Sequence, residues 1–162
     1  EALQRPPSQE DGISTATEEQ LRSYGVGLIQ GAGVLLRVPQ NSVMSAAAIF
    51  QRFYFRRSFA EFEVRSAATA ALALACKLEE SVRTMRDVIV AFHRLWMREL
   101  RDEGQEQAFF AGGPTPLLDP ASQEYADVKQ DVVRAERIIL RELGFEVTVF
   151  LDHPHKHLLQ AA

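Results

Sequence analysis

Apolar positions recur every three to four residues along most of the chain, and each such stretch predicts a helix. Leu21, Tyr24, Leu28, Ala32, Leu35 and Leu36 form the first stripe, in a helix over residues 17–37. Thr17 with Glu18 to Gln20 behind it reads as a cap followed by first-turn acids, and Val38-Pro39 ends the helix. Val43, Ala46, Ala47, Phe50, Phe53 and Tyr54 predict a second helix over 43–57, capped by Asn41 or Ser42. Val88, Ile89, Phe92, Leu95, Trp96 and Leu100 predict another over 85–101, capped by Ser81 or Thr84. Tyr125, Val128, Val132, Ala135 and Ile139 predict one over 122–143, stopped by Gly144. Asp152 or His153 opens a last short helix, with Pro154 at a position where a first-turn proline is tolerated.

Residues 64–80, VRSAATAALALACKLEE, break this amphipathic rule. Small apolar side chains fall on every face, which marks a buried helix that neighbours can approach closely. The stretch is too short to span a membrane. The expectation is therefore an all-α domain of about five helices packed around this central Ala-rich one. The last turn of that helix changes character. Lys77 shares a face with Ala70, Ala73 and Leu74, and Glu79 and Glu80 stand at the C-terminus, where the helix dipole disfavours carboxylates.

The connections differ in kind. Residues 1–16, with Pro6, Pro7 and Gly12, read as a disordered lead-in. Residues 102–120 form a long irregular segment with three glycines and three prolines, and such loops are usually functional or disordered. The 162 residues suffice for one domain with a sizeable core. A net charge of −4 disfavours nucleic acid and anionic membrane as partners. The one cysteine, Cys76, lies in the Ala-rich helix; no disulfide can form within the chain, and a buried thiol is expected. No signal peptide or membrane span is visible, and an opening Glu1 rather than Met reads as a fragment.

Several patterns suggest chemistry, and each has a plainer reading. Gly25-x-Gly27-x-x-x-Gly31 imitates a dinucleotide fingerprint, but no strand precedes it. Gly25, Gly27, Gly31 and Gly33 are better read as sites of close helix packing. His153, His155 and His157 alternate and could hold a metal if extended. Pro154 and the following LLQ favour a helix start that splays the rings, so no metal is expected. Arg52, Arg56 and Arg57 interleave with Phe53, Tyr54, Phe55 and Phe59, as in single-stranded nucleic-acid binders, yet a helix with a basic outer face explains them as well. No catalytic triad, P-loop or kinase signature is present, and neither an enzyme nor a cofactor is expected.

The sharpest anomaly is Glu136. It is the only charge on a second stripe formed with Val133, Leu140 and Leu143. A carboxylate there is costly unless paired, and Lys77 is the matching charge. They could meet at the edge of an apolar patch and offer donors and acceptors to a partner. They could equally form a structural ion pair or snorkel to water, and structural pairs are the commoner cause.

The sequence resembles the cyclin family, specifically the first cyclin box, and is most similar to L-type transcriptional cyclins. The segments that carry the likeness are LIQGAGVLLRVPQ (28–40), FQRFYFRRSF (50–59), LACKLEE (74–80), RDVIVAFH (86–93), AERIILRELGFEV (135–147) and HPHK (153–156). Six segments in order, spanning about 17–159, make it specific. The resemblance implies a cyclin-box domain over 17–151, with 152–162 beginning a truncated second box and a further helix. It implies a non-enzymatic nuclear subunit that binds and activates a cyclin-dependent kinase in transcription by RNA polymerase II or in pre-mRNA splicing, with neither small-molecule substrate nor membrane involved. It gives Lys77 and Glu136 the role of hydrogen-bonding the start of the kinase's C-helix. Leu78, Glu80, Leu140, Phe145 and Val147 match further kinase-contact positions, the apolar ones through their side chains. The chain departs from the family in two ways. Residues 101–113 look longer than usual, and LRSYG (21–25) stands where cell-cycle cyclins carry the MRxxL docking motif. The alternative implied is a cyclin-fold nucleic-acid or general-transcription-factor adaptor, with Arg52, Arg56 and Arg57 on phosphates.

Overall fold

The computed structural model describes residues 6–102 and 118–144, and all regular structure among them is α-helical. Six helices follow one another: α1 (Pro7–Glu10), α2 (Thr15–Leu36), α3 (Gln40–Arg56), α4 (Val64–Leu78), α5 (Met85–Asp102) and α6 (Gln123–Leu143). The Ala-rich helix α4 is the hub and packs against α2, α3, α5 and α6. Every residue from Ala67 to Cys76 is buried, as a helix apolar on all faces requires. Cys76 belongs to this core, and burial pushes its thiol pKa up.

Pairs of contacts fix the directions. Ser45 near the start of α3 meets Glu79 just past α4, and Ser42 meets Ser81, so α3 and α4 run antiparallel. Tyr24 and Gly31 of α2 meet Glu99 and Leu95 of α5, again antiparallel. Helix α6 lies across α4. Its first turn reaches α5 through Glu124 and His93, its middle meets α4 through Glu136 and Lys77, and its last turn reaches the end of α3 through Glu142 and Arg57.

Two glycines allow α2 and α3 to close up. A Cβ on Gly25 would sit 2.1 Å from the Phe50 ring, and one on Gly33 would sit 2.5 Å from Val43. Gly27 is different: it faces open space and serves no packing role. The α3–α4 link is held by aromatic contacts. Tyr54 stacks on Phe59 with centroids 3.6 Å apart, and its hydroxyl donates to the Phe62 carbonyl at 2.8 Å.

The helices expected within the described residues are all present, with corrections at their ends. The expected disordered lead-in is ordered from Pro6. Helix α1 packs on α2 and α3, and the buried Ser8 hydroxyl accepts the Phe59 amide at 3.1 Å. Its order comes from that tertiary contact and not from any periodic pattern. Thr17 is not the cap of α2; Ser14 is, accepting from the Thr17 amide at 3.1 Å. Neither Asn41 nor Ser42 caps α3, which follows Pro39 without a side-chain cap. Ser42 instead is buried and bonded to Ser81. Thr84 and Ser122 do cap α5 and α6. Leu35, placed on the buried stripe by spacing, is half exposed, whereas Ile29 is fully buried. The final short helix and His153, His155 and His157 lie outside the described residues.

The α4–α6 edge as candidate functional site

Lys77 stands in the last turn of α4 and Glu136 in the middle of α6, and the structure brings them together: the Lys77 ammonium donates to Glu136 Oε1. The two partners differ in exposure. The Glu136 side chain is 12% exposed and that of Lys77 is 52% exposed. The carboxylate is therefore largely desolvated and held by a cation that keeps one side in water. That geometry lies between a sealed ion pair and a surface one. Leu78 follows Lys77 and Leu140 lies one turn beyond Glu136; both are half buried against the core. The edge thus presents a charge pair bordered by apolar side chains that remain partly open.

Glu80 is exposed and ends the α4 region with a left-handed backbone, φ 55°. Its neighbour Glu79 was the less obvious residue. Its Oε1 accepts from Ser45 Oγ at 2.6 Å, near the start of α3. Considered on α4 alone, a carboxylate at the C-terminus is misplaced. Antiparallel packing sets it against the second turn of α3, where the Ser45 hydroxyl gives it a donor. Phe145 and Val147 lie outside the described residues.

The basic cluster of α3 is committed within the fold. Arg56 donates to the Glu142 carbonyl, capping the end of α6 with positive charge. Arg57 donates to Glu142 Oε1 at 2.6 Å and lies 3.6 Å from Glu61. The Arg57 guanidinium holds the Glu142 carboxyl below its usual range. Arg22, at the second position of LRSYG, is also occupied. It binds Glu18 at 2.7 Å and donates to the Gln51 and Tyr54 carbonyls near the end of α3. Tyr24, within the same segment, donates to Glu99 at 2.8 Å. Apart from the i,i+4 pairs Arg22–Glu18 and Arg57–Glu61, these pairings join residues from different elements, so sequence spacing gave no sign of them.

Among the described residues no group of acidic, cysteine or histidine side chains could hold a metal ion, and no helix is long and apolar enough to cross a membrane.

The profile of the family described as "Cyclin, N-terminal domain" matches residues 1–148. Cyclin-L1-1 of Oryza sativa subsp. japonica is 43% identical over 158 residues, covering 98% of this chain and 34% of that protein. Cyclin-L2 of Homo sapiens is 42% identical over 154 residues, covering 95% of this chain and 27% of that protein. Cyclin-L1-1 of Arabidopsis thaliana is 40% identical over 158 residues, covering 98% of this chain and 35% of that protein. The chain spans about a third of the length of these curated relatives, or less.

Proposed function

The chain belongs to the cyclin family, and on that premise we propose that it binds and activates a cyclin-dependent serine/threonine kinase in the nucleus, in transcription by RNA polymerase II or in pre-mRNA splicing. The role is regulatory: the kinase supplies the chemistry and this domain supplies the surface that orders it. The observation that carries the reading is the Lys77–Glu136 pair, formed at an edge open to solvent and bordered by Leu78 and Leu140. Lys77 retains donors for carbonyls and Glu136 retains an acceptor for amides at the start of the kinase's C-helix. Leu78 and Leu140, with Phe145 and Val147, supply apolar contact, and Glu80 stands at the rim.

The mechanism is a population shift. A domain that binds the C-helix-in kinase more tightly than the C-helix-out kinase raises the fraction in the competent state. That state sets the kinase's own C-helix Glu against its β3 Lys, which phosphoryl transfer requires. The pair costs little to present, since each charge already has its partner before the kinase arrives. Capture of a cyclin-dependent kinase by wild type and by the Lys77→Ala and Glu136→Ala variants tests this. Both substitutions are expected to abolish or sharply reduce capture and activation; equal capture by all three would count decisively against it. The nucleic-acid adaptor reading is weakened by Arg56 and Arg57, both of which already hold Glu142.

A further inference from the structure

Helix α1 buries one residue, Ser8, which is 0% exposed. Its hydroxyl oxygen accepts the Phe59 amide, in the link between α3 and α4. Pro7 and Gln9 are only half buried and Glu10 is exposed, so α1 sends no large apolar side chain into the core. The other ties are few. Gln9 Nε2 donates to Glu18 Oε2 at 3.2 Å, the Ser8 carbonyl accepts the Ile13 amide at 3.0 Å, and Ile13 packs partly against the core. A four-residue helix has no stability of its own. An element held by so few contacts sits at the low end of local stability and opens without unfolding the domain. Gly12 joins α1 to α2 with φ 86° and has nothing within 4 Å of where its Cβ would stand, so it can absorb a change in chain direction.

We propose that α1 is a hinged strap latched by the Ser8 hydroxyl, and that Ser8 is a phosphorylation site whose modification holds the strap open. The transfer takes place from the open state, because the docked hydroxyl is out of an enzyme's reach. A protein kinase moves the γ-phosphoryl group of ATP to Ser8 Oγ: a new P–O bond forms, the bond from the γ-phosphorus to the β–γ bridging oxygen breaks, ADP leaves, and the hydroxyl proton passes to the kinase's catalytic base. The phosphate carries a charge of about −1.5 to −2 near pH 7 and cannot return to a site closed to solvent. Glu18, 4% exposed and bonded by Gln9, adds a like charge on that side. Arg22 gives no compensation, since Glu18, Gln51 and the Tyr54 carbonyl already hold it. The residues after Ser8 indicate the class of enzyme. Glu10 and Asp11 are exposed two and three positions on, which suits a kinase with a basic substrate groove. The local charge change thus biases a two-state element, and the open state frees the Phe59 amide.

The whole chain incubated with ATP and an acid-directed serine kinase, casein kinase 2, tests this, with the site located by mass spectrometry. Phosphate is expected on Ser8. Ile13→Ala, which loosens the strap and leaves residues 8–11 intact, should take it up several times faster. Hydrogen exchange reads the strap directly. The Phe59 amide should exchange at least about tenfold faster in the phosphorylated protein and in Ser8→Asp, as loss of its acceptor requires, while the amides of α4 keep their protection and show the domain folded. The proposal is overturned if Ser8 stays unmodified in both wild type and Ile13→Ala, or if Ile13→Ala is modified no faster than wild type. It is equally overturned if phosphorylated Ser8 leaves the Phe59 amide as slow as before, or if the α4 amides lose protection together with it, since α1 would then be part of the global fold and no strap.

Discussion

Lys77→Ala separates the two roles that the Lys77–Glu136 pair could have, because they differ in what happens to solvent. In the free domain the substitution leaves a carboxylate that is 12% exposed without its cation. Removing one partner of a fully buried pair costs about 3–5 kcal/mol. Lys77, however, is 52% exposed, so water reaches the gap and the cost falls towards that of a surface pair, about 1 kcal/mol. For a chain of this length that is a drop in Tm of about 2–4 °C. In the complex the kinase would cover the edge. Truncating one member of a covered, hydrogen-bonded pair costs about 2–5 kcal/mol of binding. That is a Kd weaker by about thirtyfold to several thousandfold. Urea denaturation measures the first quantity, and calorimetric titration with a purified cyclin-dependent kinase measures the second. Glu136→Gln, which keeps the shape and removes the charge, should follow the same order. A Kd within threefold of wild type in both variants, beside a measurable loss of stability, would show that the pair serves the fold alone.

Other consequences are open to the same tools. Gly25→Ala should destabilise by about 1–3 kcal/mol in urea denaturation, since its Cβ would sit 2.1 Å from the buried Phe50 ring, whereas Gly27→Ala should stabilise by about 0.5–1 kcal/mol. The His93 pKa is lowered by burial, so the unfolded chain binds the proton more readily; stability should be full above about pH 6.5 and fall as pH drops below it, and His93→Asn should flatten that dependence. The Glu142 carboxyl is held low by Arg57, so its contribution is present above its ordinary pKa near 4.5 and lost as pH falls through the lowered value. The urea midpoints of wild type and Glu142→Gln should therefore converge at acid pH, and a gap that stays constant would refute this. Ser45→Ala should cost about 1 kcal/mol, read as a lower urea midpoint, because it removes the hydroxyl that Glu79 accepts from.

What could be read from the sequence follows from how local each signal is. The apolar period survives tertiary packing, so the helix spans, the buried Ala-rich hub and Cys76 were legible within a few residues. Glu136 was legible as well, because one charge on an apolar stripe violates a local rule, and Lys77 was the one opposite charge ending the hub. Four residues that begin with the second of two prolines carry no period, so α1 was invisible until Ser8 was seen to hold the Phe59 amide. Glu79 was misread because its environment was taken from its own helix, while the hydroxyl that donates to it belongs to α3. The basic cluster looked free for the same reason: Glu142, which Arg56 and Arg57 hold, is far along the chain in α6. Nothing in the sequence singled out His93; its unsatisfied nitrogen exists only in three dimensions.

The candidate site is therefore a property of where α6 lies, more than of the two residues that mark it. Glu136 reaches Lys77 because α6 crosses a helix whose small side chains permit close approach. That crossing is fixed by its ends as much as by its middle. Arg56 and Arg57 grip the last turn of α6 from α3, and the first turn lies beside α5 near His93. Had Lys77 been paired by a residue of its own helix, its position would report nothing about the fold. Paired across two helices, it is in place only when α4 and α6 are correctly docked. A partner that reads both charges at once thereby reads the folded state of the whole domain, which neither charge alone could signal.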